Sequence, residues 1–174
     1  MSVLPKKLPT TQRVEVYPDD EELCQATLED REAVMGIDRN VYQGEDYLQT
    51  LYADHVTGPG MTGYLYKKQG NVVGFLSVQL IDGGQTLLTC AGRIAAEYRD
   101  GGMYGRFTRR VFHEYRNFPG VRHVVMTVND LNMAAIGQKL LKTYRIVMET
   151  VCRENIAALV FFQCVNRKRA VFLC

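Results

Sequence analysis

The hydrophobic and polar positions of this 174-residue chain alternate between two spacings, a period of two and a period near 3.6 residues. Period two is typical of a half-buried strand, and period 3.6 is typical of an amphipathic helix. From Leu23 onward the two patterns follow each other in the order β-α-α-β-β-β-α-β-α-β-β. This order predicts an α/β fold in which a mixed, largely antiparallel sheet is flanked by helices, with a β-α-β crossover after a strand meander.

Four segments have helical spacing. Thr27 is suited to the N-cap of the first helix, because Asp30 follows it three residues later. We expect one helix after Thr27 that buries Val34, Ile37 and Val41, one over residues 47–56, one over residues 103–116, and one that carries Met133, Ile136, Leu140 and Leu141.

The strand segments are separated by short turn signals. Gln69-Gly70-Asn71 and Asp82-Gly83-Gly84 favour tight antiparallel hairpins between the strands that they join. A formal G-x-G-x-x-G over residues 58–63 leaves a helix and enters a strand, so we interpret it as a turn and not as a dinucleotide site. The predicted strands cover residues 23–26, 64–68, 72–81, 86–95, 121–128, 145–151 and 158–165.

Composition indicates the class of protein. With 47% hydrophobic and 23% charged residues, the chain is expected to form one soluble domain over residues 21–174, after a flexible lead-in over residues 1–20. The longest apolar stretch, residues 156–162, is too short to span a membrane, so no membrane partner is expected. The five cysteines are odd in number and never form a C-x-x-C pair, which favours reduced thiols and a cytoplasmic or nuclear location.

The formal net charge of +2 argues against a strongly basic nucleic-acid binder, but it conceals a division along the chain. Residues 1–60 contain 5 basic and 12 acidic side chains, whereas residues 61–174 contain 16 basic and 7 acidic ones. We therefore expect the two parts to meet differently charged ligands. The histidines, His55, His113 and His123, are isolated in the sequence, and no metal-binding motif is present, so no metal site is predicted.

Residues 93–105 run from the end of a strand through a glycine loop into a basic helix. In this position the N–H groups that begin the helix form an anion site, and the glycines let a pyrophosphate approach the backbone. The alternative is a plain glycine-rich turn. Arg106 and Arg109 add positive charge nearby. The candidate cofactor-binding residues of the loop are Arg99, Asp100, Gly101, Gly102, Met103, Tyr104 and Gly105.

Arg99 and Gly102 match the Q/R-x-x-G-x-G/A loop of the GNAT acetyltransferase superfamily, which the chain also resembles in the order of its predicted elements. Tyr104 stands where that loop has Gly or Ala. The resemblance implies a GNAT-like fold, acetyl-CoA as cofactor and N-acetyltransferase activity. It also implies that Asn132, which begins an N-x-x-A motif, binds the cofactor, and that Lys139 replaces a tyrosine that often protonates the leaving thiolate.

Within that superfamily the chain is similar to the vertebrate histidine N-acetyltransferases over about residues 23–151. The most specific stretch is Val41-Tyr42-Gln43-Gly44-Glu45-Asp46-Tyr47-Leu48, and residues 81–86 and 142–145 add to it. The likeness implies an acetyl-CoA-dependent enzyme that acetylates a small amine or amino acid, with histidine as a candidate. Chains of that family continue further, so residues 155–174 are either a divergent ending or a truncated tail.

The implied reaction needs a base that deprotonates an amine and backbone donors that stabilise an oxyanion. The resemblance puts those donors at Ile94, Ala95 and Ala96, which it thereby also implies to be cofactor-binding residues. Glu97, Glu45 and Asp46 are the candidate bases, with water relays as the alternative, and Tyr144 is the candidate acid, with a core aromatic as the alternative. Aromatic rings and carboxylates over residues 42–52, Tyr52 included, would suit an amine, and the alternative for this set is a helix-capping and packing cluster. The residues expected to bind the amine are Tyr42, Glu45, Asp46 and Tyr47.

The alternative function is a catalytically degenerate acyl-CoA-binding module. Four departures from the family's pattern favour it. One of them, Cys90, has no neighbouring histidine in the sequence, so we interpret it as a small buried hydrophobic residue and not as a nucleophile. The oligomeric state is left open. The four departures are Cys90, Asp100, Tyr104 and Lys139.

Overall fold

The structure is a computed structural model that describes residues 17–44, 46–129, 144–151 and 158–164. For residues 42, 43, 127 and 129, and for the last two of these ranges, it describes the backbone alone. In the described ranges no helix is both long enough and apolar enough to cross a membrane.

One sheet contains all seven strands of the described part of the chain. They are β1 (Glu21–Gln25), β2 (Met61–Lys68), β3 (Asn71–Ile81), β4 (Thr86–Ile94), β5 (His123–Asn129), β6 (Tyr144–Val151) and β7 (Ala158–Cys164). The strand order is β1-β2-β3-β4-β5-β7-β6, and every neighbouring pair is antiparallel except β4 and β5, which are parallel. The predicted mixed, largely antiparallel sheet is therefore confirmed, and its parallel pair is the one joined by a helical crossover.

Helices cover both faces of this sheet. The described α-helices are α1 (Arg31–Ile37), α2 (Leu48–Thr57) and α3 (Met103–Tyr115). The ring of Tyr52 in α2 packs on Phe75 of β3, and the ring of Phe107 in α3 stacks on Tyr66 of β2, with centroids 5.7 and 5.0 Å apart. Tyr66 pairs with Gly74, the residue before Phe75, so the two contacts lie on opposite faces. Thus α2 packs on one face, and α3 packs on the other.

The first predicted helix is correct at its start and wrong at its end. Thr27 is the N-cap of a short 3-10 turn (Leu28–Asp30) that leads into α1, and its main-chain N–H donates to the carboxylate of Asp30 at 2.8 Å, as in a capping box. Val41 does not continue α1, because it begins a separate 3-10 turn. The break lies at Asp38, whose backbone is extended and whose carboxylate accepts from the N–H of Asn40 at 2.9 Å. A short polar side chain that bonds the backbone two residues later favours a turn over a helix.

The other predicted elements within the described ranges agree with the observed ones in type and order. The strands of the meander, β2 to β4, begin and end within three residues of their predicted bounds. The two hairpin turns between them also lie where the glycine signals predict them. The helix predicted around residues 133–141 lies outside the described residues.

The core fills the space between the helices and the centre of the sheet. Aromatic side chains supply much of its volume, because the chain has 17 Tyr and Phe residues and no Trp. Tyr64 on β2 and Tyr115 on α3 add a hydroxyl contact of 3.2 Å. The largest fully buried described side chains are Tyr52, Tyr66, Phe75, Phe107, Phe112, Leu48, Leu65, Leu76, Leu87, Val34 and Val78.

We expect Phe107→Ala to lower the free energy of unfolding by about 3–5 kcal/mol, because it leaves a cavity between α3 and the sheet. Phe118→Ala is the matched control. Phe118 is 50% exposed, so its loss should cost less than about 1 kcal/mol. Urea titration followed by circular dichroism measures both, and equal losses would contradict the assignment of Phe107 to the core.

Candidate functional site

The parallel strands β4 and β5 separate half-way along β4. Their ladder covers Thr86–Thr89 of β4 and His123–Met126 of β5. On its other edge β5 pairs with β7, and no described strand pairs with the β5-facing edge of β4 over residues 90–94. Backbone N–H and C=O groups require partners when they are buried. This open edge of β4 is therefore the part of the sheet best prepared to bind the backbone-like groups of a ligand.

A β-bulge lies at the same point of β4. Ser77 of β3 pairs with Cys90 and Phe75 pairs with Arg93, so that Ala91 and Gly92 together oppose Leu76. Ala91 has a φ of +54°, in the left-handed region. A bulge bends its strand and increases the local twist. The bend thus begins where the ladder with β5 ends, and it separates the two strands.

The glycine loop follows the open half of β4 and leads into α3. Asp100 and Gly102 have φ values of +63° and +72°, and Gly102 is the N-cap of α3. Aspartate tolerates the left-handed region better than most residues, so Asp100 can adopt this backbone without being glycine. A Cβ added at Gly102 would be no nearer than 3.8 Å to another residue, the Arg106 guanidinium. The start of α3, with its unpaired N–H groups, is therefore open to a ligand.

Two arginines of this loop region are paired with carboxylates from the start of the chain. Arg99 lies 2.5 Å from Asp38 and also donates to the carbonyl of Ile94 at 3.2 Å. Arg106 donates to both carboxylate oxygens of the buried Glu21, at 2.7 and 3.1 Å, which holds the pKa of Glu21 below its usual range. These contacts fix α3 and the loop against β1 and the end of α1.

Tyr104 takes the place of the last small residue of the loop motif, and its ring lies over the bulge. A Cβ at Gly92 would be 2.1 Å from the Tyr104 hydroxyl, so only glycine at that position leaves room for the ring. Tyr104 is 41% exposed. The sequence shows the departure at residue 104, but it gives no sign that Gly92, twelve residues earlier, accommodates it.

A buried ion pair lies on the opposite face, under α2. The two Nη atoms of Arg93 donate to the carboxylate of Asp46 at 2.7 and 2.9 Å, and each side chain is 5% exposed. Asp46 also accepts from the N–H of Leu48 at 3.1 Å, near the start of α2. The Nε of Arg93 has no hydrogen-bond partner among the described residues. This pair joins the segment before α2 to the end of β4.

A histidine and a serine lie beside this pair on the same face. The Nδ1 atom of His55 in α2 is 2.7 Å from the Oγ atom of the fully buried Ser77. Burial lowers the pKa of His55, and the nearby Arg93 adds to that effect while Asp54 opposes it. The ring of Tyr47 lies 5.7 Å from the His55 ring. No spacing pattern in the sequence singles out His55.

Solved structures with the same architecture are acetyltransferases. A chimera of spermidine N-acetyltransferase SpeG from Vibrio cholerae and hSSAT has a TM-score of 0.68 at 12% identity, covering 88% of this chain and 99% of that chain. A Desulfovibrio desulfuricans protein described as a GNAT-family acetyltransferase has a TM-score of 0.66 at 12% identity, covering 82% of this chain and 97% of that chain. The chain has the GNAT acetyltransferase fold. Arabidopsis thaliana NAA60 in complex with acetyl-CoA aligns with this GNAT domain at a TM-score of 0.63 and 15% identity, covering 82% and 97% of the two chains.

Curated relatives are named as N-acetyltransferases. The GNAT domain is 33% identical over 140 residues to "Probable N-acetyltransferase 16" of Homo sapiens, which is 77% of this chain and 36% of that protein. It is 32% identical over 123 residues to "Histidine N-acetyltransferase" of Scomber australasicus, which is 70% of this chain and 35% of that protein. The chain thus spans about a third of the length of the curated relatives it matches. No protein-family model matches it.

The GNAT fold brings the predicted cofactor residues 94–105 together at the open end of β4. Ile94, Ala95 and Met103 are buried there, whereas Glu97 is exposed on the turn after β4. The N–H of Ala95 is already bonded to the carbonyl of Val73 at 2.9 Å. Donor directions alternate along a strand, so the N–H group of Ile94, the last residue of β4, is directed to the other, open edge. Ala96 begins the 3-10 turn that follows the strand.

The predicted substrate residues are only partly described. Asp46 is bonded to Arg93, and Tyr47 is 37% exposed beside His55. The side chain of Tyr42, and the whole of Glu45 and Asn132, lie outside the described residues. Tyr144 begins β6, which β5 and β7 separate from β4, and its side chain is also outside the described part. The roles given to these residues stay predictions.

We expect Asp46→Asn to lower the free energy of unfolding by about 3–5 kcal/mol, because it leaves the buried Arg93 without a counter-charge. The asparagine keeps an oxygen for the N–H of Leu48, so that bond is not the cause. Asp38→Asn is the matched control, and it should cost no more than about 1 kcal/mol, since Arg99 is half-exposed. Urea titrations compare the two variants, and similar small losses would argue against a buried pair that stabilises the fold.

Proposed function

We propose that the chain is an acetyl-CoA-dependent N-acetyltransferase that acts on a small amine, with amino acids, and histidine among them, as the first acceptors to test. One observation carries the proposal. The open edge of β4 ends where the loop 99–102 begins, and the first N–H groups of α3 follow directly after that loop. A ligand that has both a pyrophosphate and an extended chain of amides fits such a site better than a small anion does.

The residues of the loop suit the phosphates of that ligand. The dipole of α3 and the N–H groups of its first turn favour negative charge, and the open surface at Gly101 and Gly102 admits it. Arg99 and Arg106 flank the loop, and the guanidinium of Arg106 lies 3.2 Å from the carbonyl of Gly101. When bound, acetyl-CoA supplies an acetyl group activated as a thioester. The N–H group of Ile94 at the open edge of β4 then acts as a preorganised donor to an oxyanion, and the family resemblance adds the N–H group of Ala96 just beyond the strand.

Side-chain roles in the transfer are assigned by position and residue type. Glu97 remains a candidate base because it follows β4 directly, and Tyr144 and Asn132 keep the roles that the family resemblance implies. Cys90 is not a nucleophile in this proposal, since burial raises the pKa of its thiol to about 11. Tyr42, Glu45, Asp46 and Tyr47 remain the proposed acceptor segment, with Tyr47 at its exposed end.

A catalytically degenerate acyl-CoA-binding module is the second candidate. It is favoured by Tyr104, whose bulky ring stands beside the open edge of β4, where the superfamily's loop has a small residue. Both candidates predict that the chain binds CoA, but only the enzyme predicts turnover. A thiol-release assay with the purified chain, acetyl-CoA and an amino-acid panel, together with calorimetry for CoA, separates them. Turnover supports the enzyme, binding without turnover supports the module, and no binding contradicts both.

Gly102→Val is expected to lower CoA affinity at least tenfold, because a branched side chain at the N-cap would obstruct the start of α3 and would resist the positive φ. Gly70→Val is the matched control. Gly70 has a φ of +79° and open space around it, but it lies in the turn between β2 and β3. Calorimetry on both variants should show the loss of affinity in Gly102→Val alone. Equal affinity in the two variants would refute the position proposed for the phosphates.

A further inference from the structure

We propose that His55 is the general base of the acetyl transfer, the group that takes a proton from the acceptor amine. The inference rests on the proposed function, because without acetyl transfer there is no amine proton to remove. It differs from the sequence prediction, in which the candidate bases are carboxylates. Four features of the structure carry it: the position of His55, the orientation of its ring, the charges around it and the state of the competing groups.

The side chain of Ser77 connects His55 to the open half of β4. The Oγ atom of Ser77 lies 2.7 Å from Nδ1 of His55 and 3.4 Å from the carbonyl oxygen of Cys90. Cys90 is the first residue of β4 after the ladder with β5 ends at Thr89. His55 therefore stands where the sheet opens, on the α2 face, while Gly102 and α3 lie on the other. An acceptor on the α2 face and an acetyl group held from the α3 side meet at this opening.

Ser77 orients the ring and leaves one nitrogen for the acceptor. We assign the hydroxyl proton of Ser77 to the carbonyl of Cys90, so that Oγ accepts from Nδ1–H of His55. In that tautomer Nε2 has a lone pair and is the basic atom. His55 is half-buried beside the ring of Tyr47, so the imidazole is held in place but is still accessible.

The groups around His55 keep it in its basic form. Burial is the main cause that lowers its pKa below 6.5, Asp54 on the same helix opposes the shift, and Arg93 on β4 adds to it. The neighbouring groups of Tyr47 and Ser77 are a phenol and a hydroxyl, which are neutral near pH 7. The imidazole is thus unprotonated at neutral pH, as a base must be before it acts.

The competing groups at this opening are engaged or lie elsewhere. Asp46 accepts two hydrogen bonds from Arg93, which neutralises its charge. The thiol of Cys90 stays protonated, since burial raises its pKa to about 11. Glu97 is exposed on the turn beyond the end of β4. Among the described groups on the α2 face, His55 best combines nearness to the opening with an available lone pair.

The proton balance of the step is simple. The acceptor arrives as an ammonium ion, and Nε2 of His55 takes one proton and becomes imidazolium. The lone pair of the nitrogen then forms a bond to the thioester carbon, and the carbon–sulfur bond breaks with its electron pair on sulfur. The second amine proton neutralises that sulfur, and the imidazolium later releases its proton to solvent. The products are an amide, a thiol and one proton.

The test compares His55→Gln with His113→Gln, a control on the exposed surface of α3. Both are assayed as the full chain with acetyl-CoA and the acceptor that turns over fastest. In His55→Gln we expect kcat/KM at pH 7 to fall about 10²–10⁴-fold, with CoA affinity and melting temperature unchanged. The wild type should lose activity as the pH falls through a pKa below 6.5, and His55→Gln should lack this limb. Protonation of the acceptor amine affects the pH profiles of the wild type and the variants equally, because all are assayed with the same acceptor.

Each result decides the question. Full activity and an unchanged pH profile in His55→Gln would overturn the inference and leave the proposed function standing. A wild type that binds CoA without turning over any amine would overturn both. If His55→Gln lowers the melting temperature, Ser77→Ala replaces it, since that variant keeps the imidazole and removes only its anchor. Ser77→Ala should shift the acid limb of the pH profile of kcat/KM and leave CoA affinity unchanged. An acid limb at the same pH as in the wild type would overturn the inference.

Discussion

The separation of β4 from β5 after Thr89 is the constraint on which the rest of the site depends. It leaves half of a central strand with an unpaired edge, which an isolated sheet would not tolerate in its interior. The bulge at Ala91 and Gly92 supplies the bend that separates the strands, and the loop at the end of β4 turns the chain into α3. One opening is thus bounded by main-chain donors, by a helix N-terminus and by the side chains of α2.

Part of the uneven charge along the chain is balanced inside the molecule. Sequence reasoning assigns the acidic first part and the basic remainder to different ligands. The structure also pairs three carboxylates of the first part with three arginines of the second. These pairs position the loop and the end of β4, so much of the positive charge near α3 is already balanced. Main-chain donors consequently carry more of the anion binding than counting arginines suggests. The pairs are Glu21 with Arg106, Asp38 with Arg99, and Asp46 with Arg93.

Most of the sheet, the three described helices and the glycine loop could be predicted from the sequence, because each leaves a local signal such as periodicity, a cap or a turn glycine. The side-chain clusters at the opening could not. Arg93 meets Asp46 across 47 residues, and His55 meets Ser77 across 22. Neither pair has a spacing pattern, since both depend on how α2 packs on β3 and β4. The false extension of the first helix to Val41 has a different, local origin, because the carboxylate of Asp38 accepts from the N–H of Asn40 and the helix ends there.

A site built on main-chain groups tolerates substitutions for a different reason at each position. At Asp100 the loop needs only a residue that accepts a positive φ, so aspartate serves there as glycine would. At residue 104 the requirement concerns volume, and the tyrosine is accommodated because the facing residue, Gly92, has no side chain. The departures from the motif are therefore compatible with the same backbone. The side chains beside the opening, with Tyr104 on one face and His55 with Ser77 on the other, are therefore an addition to a site whose frame is the main chain.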